Sequence, residues 1–298
     1  MVEDLSREEI ASFLPPRPED GHKGTFGHLV SLAGSRGFTG APRLVAMAAL
    51  RSGVGLVTAA IPKPLSDVIS SSFLEPMTLA LESTDADTVA YESLATLLDF
   101  LTGKSALTVG PGISTHLSTA RLVRRLYALR PVSMLVDADG LNALAARPGC
   151  LVARAGTGPA AQAVLTPHPG EMGRLTGMET SEIQRTRVET TSHYATRWQS
   201  VVVLKGHGTI IAAPDGRIRR CPTGNQGMAT GGSGDVLAGI IGALLAQGTP
   251  PFEAACAGVY VHGLAGDIAA REKTPRGMIA GDIIDALPQA WRVVERTT

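Results

Sequence analysis

Along the chain, short apolar runs alternate with longer stretches in which apolar residues recur every third or fourth position. The runs at 28–33, 56–61, 106–109, 132–136, 163–166 and 201–204 are rich in β-branched or small apolar residues, which predicts buried strands. Helical spacing at 42–52, 121–129 and 181–198 places helices between some of them. Strand–helix alternation of this kind predicts an α/β fold, a central mostly parallel sheet covered by helices on both faces. Residues 1–20 read as a short helix and a Pro-Pro-Arg-Pro linker. Toward the C-terminus the grammar changes. The segments 209–213 and 217–220, joined by Pro214-Asp215-Gly216, predict a β-hairpin at a sheet edge. Helices are then expected near 235–247, 252–271 and 282–294, the second carrying the small residues Ala254, Ala255, Gly258, Gly263 and Gly266. No repeat or composition break divides the chain, so one domain over 1–298 is expected.

Composition narrows the function. With 27 basic and 27 acidic residues the formal net charge is zero, which gives no global attraction to nucleic acid or anionic lipid. Aromatic residues make up 4%, too few for base-stacking platforms. The longest apolar run, 236–246, is too short to span a bilayer, and the acidic N-terminus does not read as a signal peptide. Cys150, Cys221 and Cys256 are widely separated and form no CxxC pair, so a disulfide framework is not expected and a cytoplasmic setting is.

The candidate chemistry lies in loops that follow predicted strands. The sharpest is GNQGMATGGSGD, residues 224–235, which runs directly into an apolar helix. Glycines let backbone N–H groups converge, and a helix start adds unpaired donors and a positive dipole. Gly231, Gly232, Ser233 and Gly234 therefore read as an anion hole for a phosphoryl group. Asp235, in the first turn of that helix, is either a capping residue or a general base; the glycine run ahead of it favours the base. A second glycine loop spans Gly34 to Gly40, and Gly110-Pro111-Gly112 follows another strand. Asp137 and Asp139 end a further strand, where they could organise Mg²⁺ and phosphates through water, or cap the next helix and bond loop amides. His168 and Glu171 lie in TPHPGE, and Lys205 opens KGHGT; a phosphate or ribose contact and a solvated strand-end lysine are both open for Lys205. Five such loops after five strands suggest one nucleotide site at one sheet edge.

KGTFGHLVSLAGSRGFTGAPRLVAMAALRSGVGLVT, GPG, VDADGLNAL, LTPHPGEMGRLTG, LKGHGTII and GNQGMATGGSGDVLAGIIGALLAQG together resemble the ADP-dependent NAD(P)H-hydrate dehydratases, in order over residues 20–290. That resemblance implies a ribokinase-like fold and a repair reaction. Phosphate from a nucleotide passes to the ring hydroxyl of the S-epimer of hydrated NADH or NADPH, and elimination restores the ring. It implies that Lys205, Gly206, His207, Gly208, Thr209 and Gly234 hold the AMP portion of ADP. Ala41, Gly112, His168 and Asp235 would contact the hydrated dinucleotide, with Asp235 as base. Gly40, Asn142, Glu171 and Asn225 would support the site. Ser233 stands where the family often has Thr and keeps the hydroxyl, and His207 varies in the family and is given no catalytic role. Mg²⁺ would be held mainly by phosphates and water, and ADP rather than ATP rests on the resemblance alone. The resemblance further implies a homo-oligomer, a tetramer, served by an NAD(P)H-hydrate epimerase encoded elsewhere. Two other functions share the glycine loops: a small-molecule kinase of the hydroxyethylthiazole kinase type, which has less reason to match at TPHPGE and KGTFG, and a non-enzymatic nucleotide-binding regulator, which would not need Asp235.

Overall fold

The structure, a computed structural model, describes residues 2–151 and 163–295. Its nine strands are β1 (His28–Leu32), β2 (Leu56–Pro62), β3 (Met77–Leu81), β4 (Ala106–Val109), β5 (Ser133–Val136), β6 (Ala163–Leu165), β7 (Val201–Leu204), β8 (Ile210–Ala212) and β9 (Ile218–Arg220). They form one sheet in the order β3-β2-β1-β4-β5-β6-β7-β8-β9. Every pair from β3 to β7 is parallel, and β8 and β9 are antiparallel, the hairpin expected at the edge.

The helices are α1 (Arg7–Phe13), α2 (Gly40–Arg51), α3 (Ser66–Ser70), α4 (Leu94–Leu101), α5 (Leu117–Leu129), α6 (Asp139–Ala145), α7 (Pro169–Thr176), α8 (Thr180–Arg185), α9 (Arg187–Trp198), α10 (Ser233–Ala246), α11 (Pro251–Lys273) and α12 (Ala280–Glu295). Successive strand residues point to opposite faces, so the strands feed two cores. Leu29, Val57, Ala106, Leu135, Val164 and Val201 meet α1, α2, α10, α11 and α12 on one face. Val30, Ala60, Leu107, Met134, Leu165 and Val202 meet α4 to α9 on the other. Burial on both faces is why these strands read as continuous apolar runs.

Two differences from the sequence reading have local causes. The helix expected over 181–198 is two helices, α8 and α9, broken at Thr186, whose φ of −119° and ψ of 36° lie outside the helical region. β3 carries exposed side chains at most of its positions because it is the sheet's open edge, so it lacks the signature of a buried strand.

The opposite edge is covered. Residues 3–5 lie along β9, with Leu5 N–H donating to Arg220 O (2.9 Å) and Arg220 N–H to Glu3 O (3.0 Å). The Arg220 guanidinium grips both oxygens of Asp4, at 2.6 and 3.0 Å. Covering an edge strand removes its unpaired donors and acceptors from competition with other chains. No described helix is long and apolar enough to cross a membrane.

Chain order reverses between β1 and β4, where open α/β sheets form a crevice at their strand C-termini. The loops leaving these strands are tied together across it: Gly34 N–H donates to Pro111 O (2.9 Å) and Ser35 Oγ to Gly112 O (2.7 Å).

Candidate active site

At the C-terminal end of β5, Asp137 is buried, and its Oδ1 accepts hydrogen bonds from Lys205 Nζ (2.6 Å) and Thr166 Oγ1 (2.8 Å). Three adjacent strands, β5, β6 and β7, thus end on one carboxylate oxygen. Lys205 Nζ also lies 3.8 Å from Glu171 Oε2. Burial works against the ammonium, but Asp137 and Glu171 outweigh it and hold Lys205 above the usual lysine range. Burial raises Glu171, against the pull of Lys205.

The start of α10 faces this cluster. A Cβ on Gly234 would lie 3.6 Å from both Asp137 Oδ2 and Lys205 Nζ. Gly232, the N-cap, has φ of +88°, and a Cβ there would come within 2.5 Å of Leu44 Cδ1, so only glycine fits. A Cβ on Gly231 would meet nothing within 4 Å, which leaves open space in front of the helix. Asp235 follows in the first turn. A helix start favours the ionised form of an acid in its first turn, but here burial outweighs it. Burial pushes it up to about 7, Asp137 and Asp139 adding to the rise and Lys205 opposing it. Behind Ser233 lies His262, 3.3 Å from its Oγ, buried and pushed down to about 4 by that burial, hence neutral.

His168 is the N-cap of α7. Its Nδ1 accepts the N–H groups of Gly170 (3.0 Å) and Glu171 (3.3 Å), and Glu171 Oε2 accepts the His168 N–H (2.8 Å), a reciprocal capping box. Burial, then Lys205 and Arg174, lower its pKa. With Nδ1 an acceptor, the neutral ring carries its proton on Nε2, which lies 3.4 Å from Glu171 Oε1 on a half-exposed ring.

Ala41 and Gly112 meet across the switch point: a Cβ on Gly112 would lie 3.1 Å from Ala41 Cβ and 2.8 Å from Phe38 Cβ. Asp139 does not cap α6, whose N-cap is Ala138. Its Oδ2 accepts Ser114 N–H (3.0 Å) and its Oδ1 accepts Asn142 Nδ2 (3.1 Å), while Asn142 Oδ1 accepts Arg174 Nε (2.8 Å). Asn225 is tied to α11 through Asp267 Oδ1 (2.9 Å) and caps the turn at Gly227 (2.9 Å), so it shapes the glycine loop from behind. The first turn of α2 begins at Gly40, whose Cβ position is open. His207 and Gly208 line a cleft of about 660 Å³ with Thr223, Gly224, Arg220 and Asp4. Thr209 Oγ1 donates to Gly206 O (2.9 Å) within that loop.

The segment from residue 29 to residue 289 matches the family model described as NAD(P)H-hydrate dehydratase. The chain belongs to the NAD(P)H-hydrate dehydratase family. Its fold is ribokinase-like. An ADP-dependent (S)-NAD(P)H-hydrate dehydratase of Neisseria meningitidis is 39% identical over 273 residues, 91% of this chain and 86% of that protein. The bifunctional NAD(P)H-hydrate repair enzyme Nnr of Moorella thermoacetica is 47% identical over 284 residues, 95% of this chain but 53% of its own length. The chain thus spans about half the length of such bifunctional relatives. The crystal structure of the ADP/ATP-dependent NAD(P)H-hydrate dehydratase of Bacillus subtilis, grown with ATP and Mg²⁺, has a TM-score of 0.83 at 30% identity and covers 99% of both chains.

The residues singled out in the sequence fall at the C-terminal ends of neighbouring strands: Ala41 meets Gly112, Gly234 faces Asp137 and Lys205, and Glu171 links Lys205 to His168, while His207 and Gly208 line the separate cleft. Sequence reasoning left Thr166 without a role although it stands in TPHPGE; its hydroxyl-to-carboxylate bond joins residues far apart in the chain and has no local signal. The three cysteines are free, with Cys221 and Cys256 buried.

Proposed function

We propose that this chain is one ribokinase-like domain that dehydrates the S-epimer of hydrated NADH or NADPH at the expense of ADP, yielding NADH or NADPH, AMP and phosphate. Asp235 accepts the ring hydroxyl's proton as the hydroxyl oxygen takes the terminal phosphoryl group of ADP. Gly231, Gly232, Ser233 and Gly234 receive the charge on that group in transit. Phosphate then departs from the ring carbon while a proton leaves the adjacent carbon, and the ring double bond re-forms. Lys205–Thr209 and Gly234 hold the AMP portion, and Ala41, Gly112 and His168 hold the dinucleotide, His168 through its Nε2–H.

The observation that carries this reading is the Asp235 carboxyl, pushed up to about 7 in the first turn of a glycine-led helix and beside Lys205. A base with that affinity is half-ionised near neutral pH, where proton acceptance and availability are balanced. The activity of the Neisseria meningitidis relative, matched over 86% of its length, supports the substrate.

No cluster of three or more metal-ligating side chains occurs among the described residues, and both Asp139 oxygens are engaged. These residues fit a Mg²⁺ carried by nucleotide phosphates and water rather than a protein cage. The ion supplies charge neutralisation on the phosphates. We further place the enzyme in the cytoplasm as a homotetramer, supplied with the S-epimer by an epimerase. Light scattering on the purified protein reads the oligomer.

The deciding assay mixes hydrated NADH, ADP and Mg²⁺ and follows the reduced-ring absorbance together with released phosphate. Recovery of NADH with one phosphate per turnover is expected. A stable phosphorylated alcohol would make the protein a kinase.

A further inference from the structure

Besides the Thr209 Oγ1–Gly206 O bond within it, the loop that opens with Lys205 is held from outside. Arg187, the first residue of α9, sends its guanidinium under it. Nη2 donates to Leu204 O at 2.8 Å and lies 3.4 Å from Lys205 O and 3.5 Å from Gly208 O, and Nη1 reaches Lys205 O at 3.4 Å and Gln184 Oε1 at 3.1 Å. Nε is buried without a partner among the described residues. Close fit is required above it: a Cβ on Gly206, whose φ is +135°, would lie 3.2 Å from Nη1.

A trans peptide unit points its C=O and N–H in opposite directions. With the carbonyls of Lys205 and Gly208 drawn to the guanidinium, the amides of Gly206 and Thr209 are turned away from it. Neither amide donates to a backbone or side-chain acceptor among the described residues. Gly206 is exposed and Thr209 half-buried, so both N–H groups are donors open to an incoming acceptor. We infer that Arg187 is a positioning residue for the nucleotide: it sets the peptide planes of residues 204–208 so that free amides of this loop meet the AMP portion of ADP. The inference rests on the proposed role of Lys205–Thr209 in nucleotide binding. Lysine cannot substitute, since one ammonium does not present the planar fork that spans several carbonyls.

The test compares Arg187→Ala and Arg187→Lys with the wild type, by calorimetry with ADP and by steady-state kinetics with hydrated NADH. Both variants are expected to weaken ADP binding at least about tenfold, raising its KM. The KM for hydrated NADH at saturating ADP should stay within about twofold. Guanidinium ion at non-denaturing concentration is expected to restore ADP affinity to Arg187→Ala and not to Arg187→Lys, a rescue that a general loss of stability would not give. Unchanged ADP affinity in a folded variant overturns the inference, and so does an equal loss for both ligands that tracks the melting temperature. A wild type that binds ADP yet dehydrates nothing overturns the proposed activity alone, because calorimetry on the Arg187 variants still decides the positioning role.

Discussion

Two glycine-rich loops feed two helices that lie side by side and run the same way, yet only one of them carries a carboxylate in its first turn. Near one end Gly232 of the α10 loop approaches Leu44 of α2; midway a Cβ on Gly239 would overlap the carbonyl oxygen of Val45; at the far end Gln247 Nε2 donates to Ser52 O (2.9 Å). α2 has no acidic residue in its first turn and no side-chain cap at Thr39. α10 has Asp235 there, half-buried near Asp137 and Lys205. A glycine loop before a helix supplies donors wherever it occurs. On the proposed function, what would separate a neutral contact surface from a reacting centre is the half-buried acid and the charges around it.

Removing that acid is the most direct way to erase the difference. Asp235→Asn keeps the size and is expected to lower turnover by about 10²–10⁴ while ADP binding persists, as loss of a general base does. Single-turnover measurements with calorimetry in parallel check this, and near-normal turnover would reduce Asp235 to a structural residue. The pH dependence comes next. With the carboxylate as the proposed reacting form, kcat should fall about tenfold per unit as pH drops below about 7 and level off above it. Stability carries the opposite sign. The folded carboxyl binds its proton up to about 7 and the unfolded one only to its ordinary 3.8, so wild-type stability falls as pH rises through that window. Asp235→Asn should therefore melt higher than wild type at pH 8, with the gap closing by pH 4.

The register between the two helices is the next target. Gly239→Val drives a side chain into the α2 backbone and should cost about 1–3 kcal/mol by denaturant titration. A variant as stable as wild type would mean the helices can slide apart freely. A smaller effect is expected from His168→Ala, which raises the KM for hydrated NADH, leaves ADP affinity near wild type, and costs about 0.5–2 kcal/mol through loss of the α7 cap. Collapse of ADP affinity would assign His168 to the nucleotide half. The smallest is Gly40→Ala. Nothing lies within 4 Å of the new methyl, so stability should stay within about 0.5 kcal/mol, and any change should appear in the dinucleotide KM.

Much of this was legible in the sequence, for reasons that differ by element. β4, β5, β6 and β7 are apolar on both faces, so their positions and the loops after them could be read directly. β3 could not, because its residues meet solvent on an open edge. α6 and α7 are short and begin inside the motifs VDADG and TPHPGE, whose polar residues hide the helical spacing. The candidate site residues could be singled out because their motifs are local. Their partners were not: Thr166 to Asp137, Arg174 to Asn142 and Asp267 to Asn225 are bonds between segments far apart in the chain, visible only after folding. The elevated pKa of Asp235 belongs to the same class, since it arises from burial and from Asp137, almost a hundred positions away.

The strip of chain along β9 bears on how this protein should be handled at the bench. Asp4 lines the cleft beside His207 and Gly208, and its grip on Arg220 is part of that wall. Trimming the first five residues would free the Arg220 guanidinium and bare the β9 backbone, so a shortened product is expected to stick to itself and to read nucleotide affinity wrongly. A purification handle placed ahead of Glu3 would start at the rim of the same cleft.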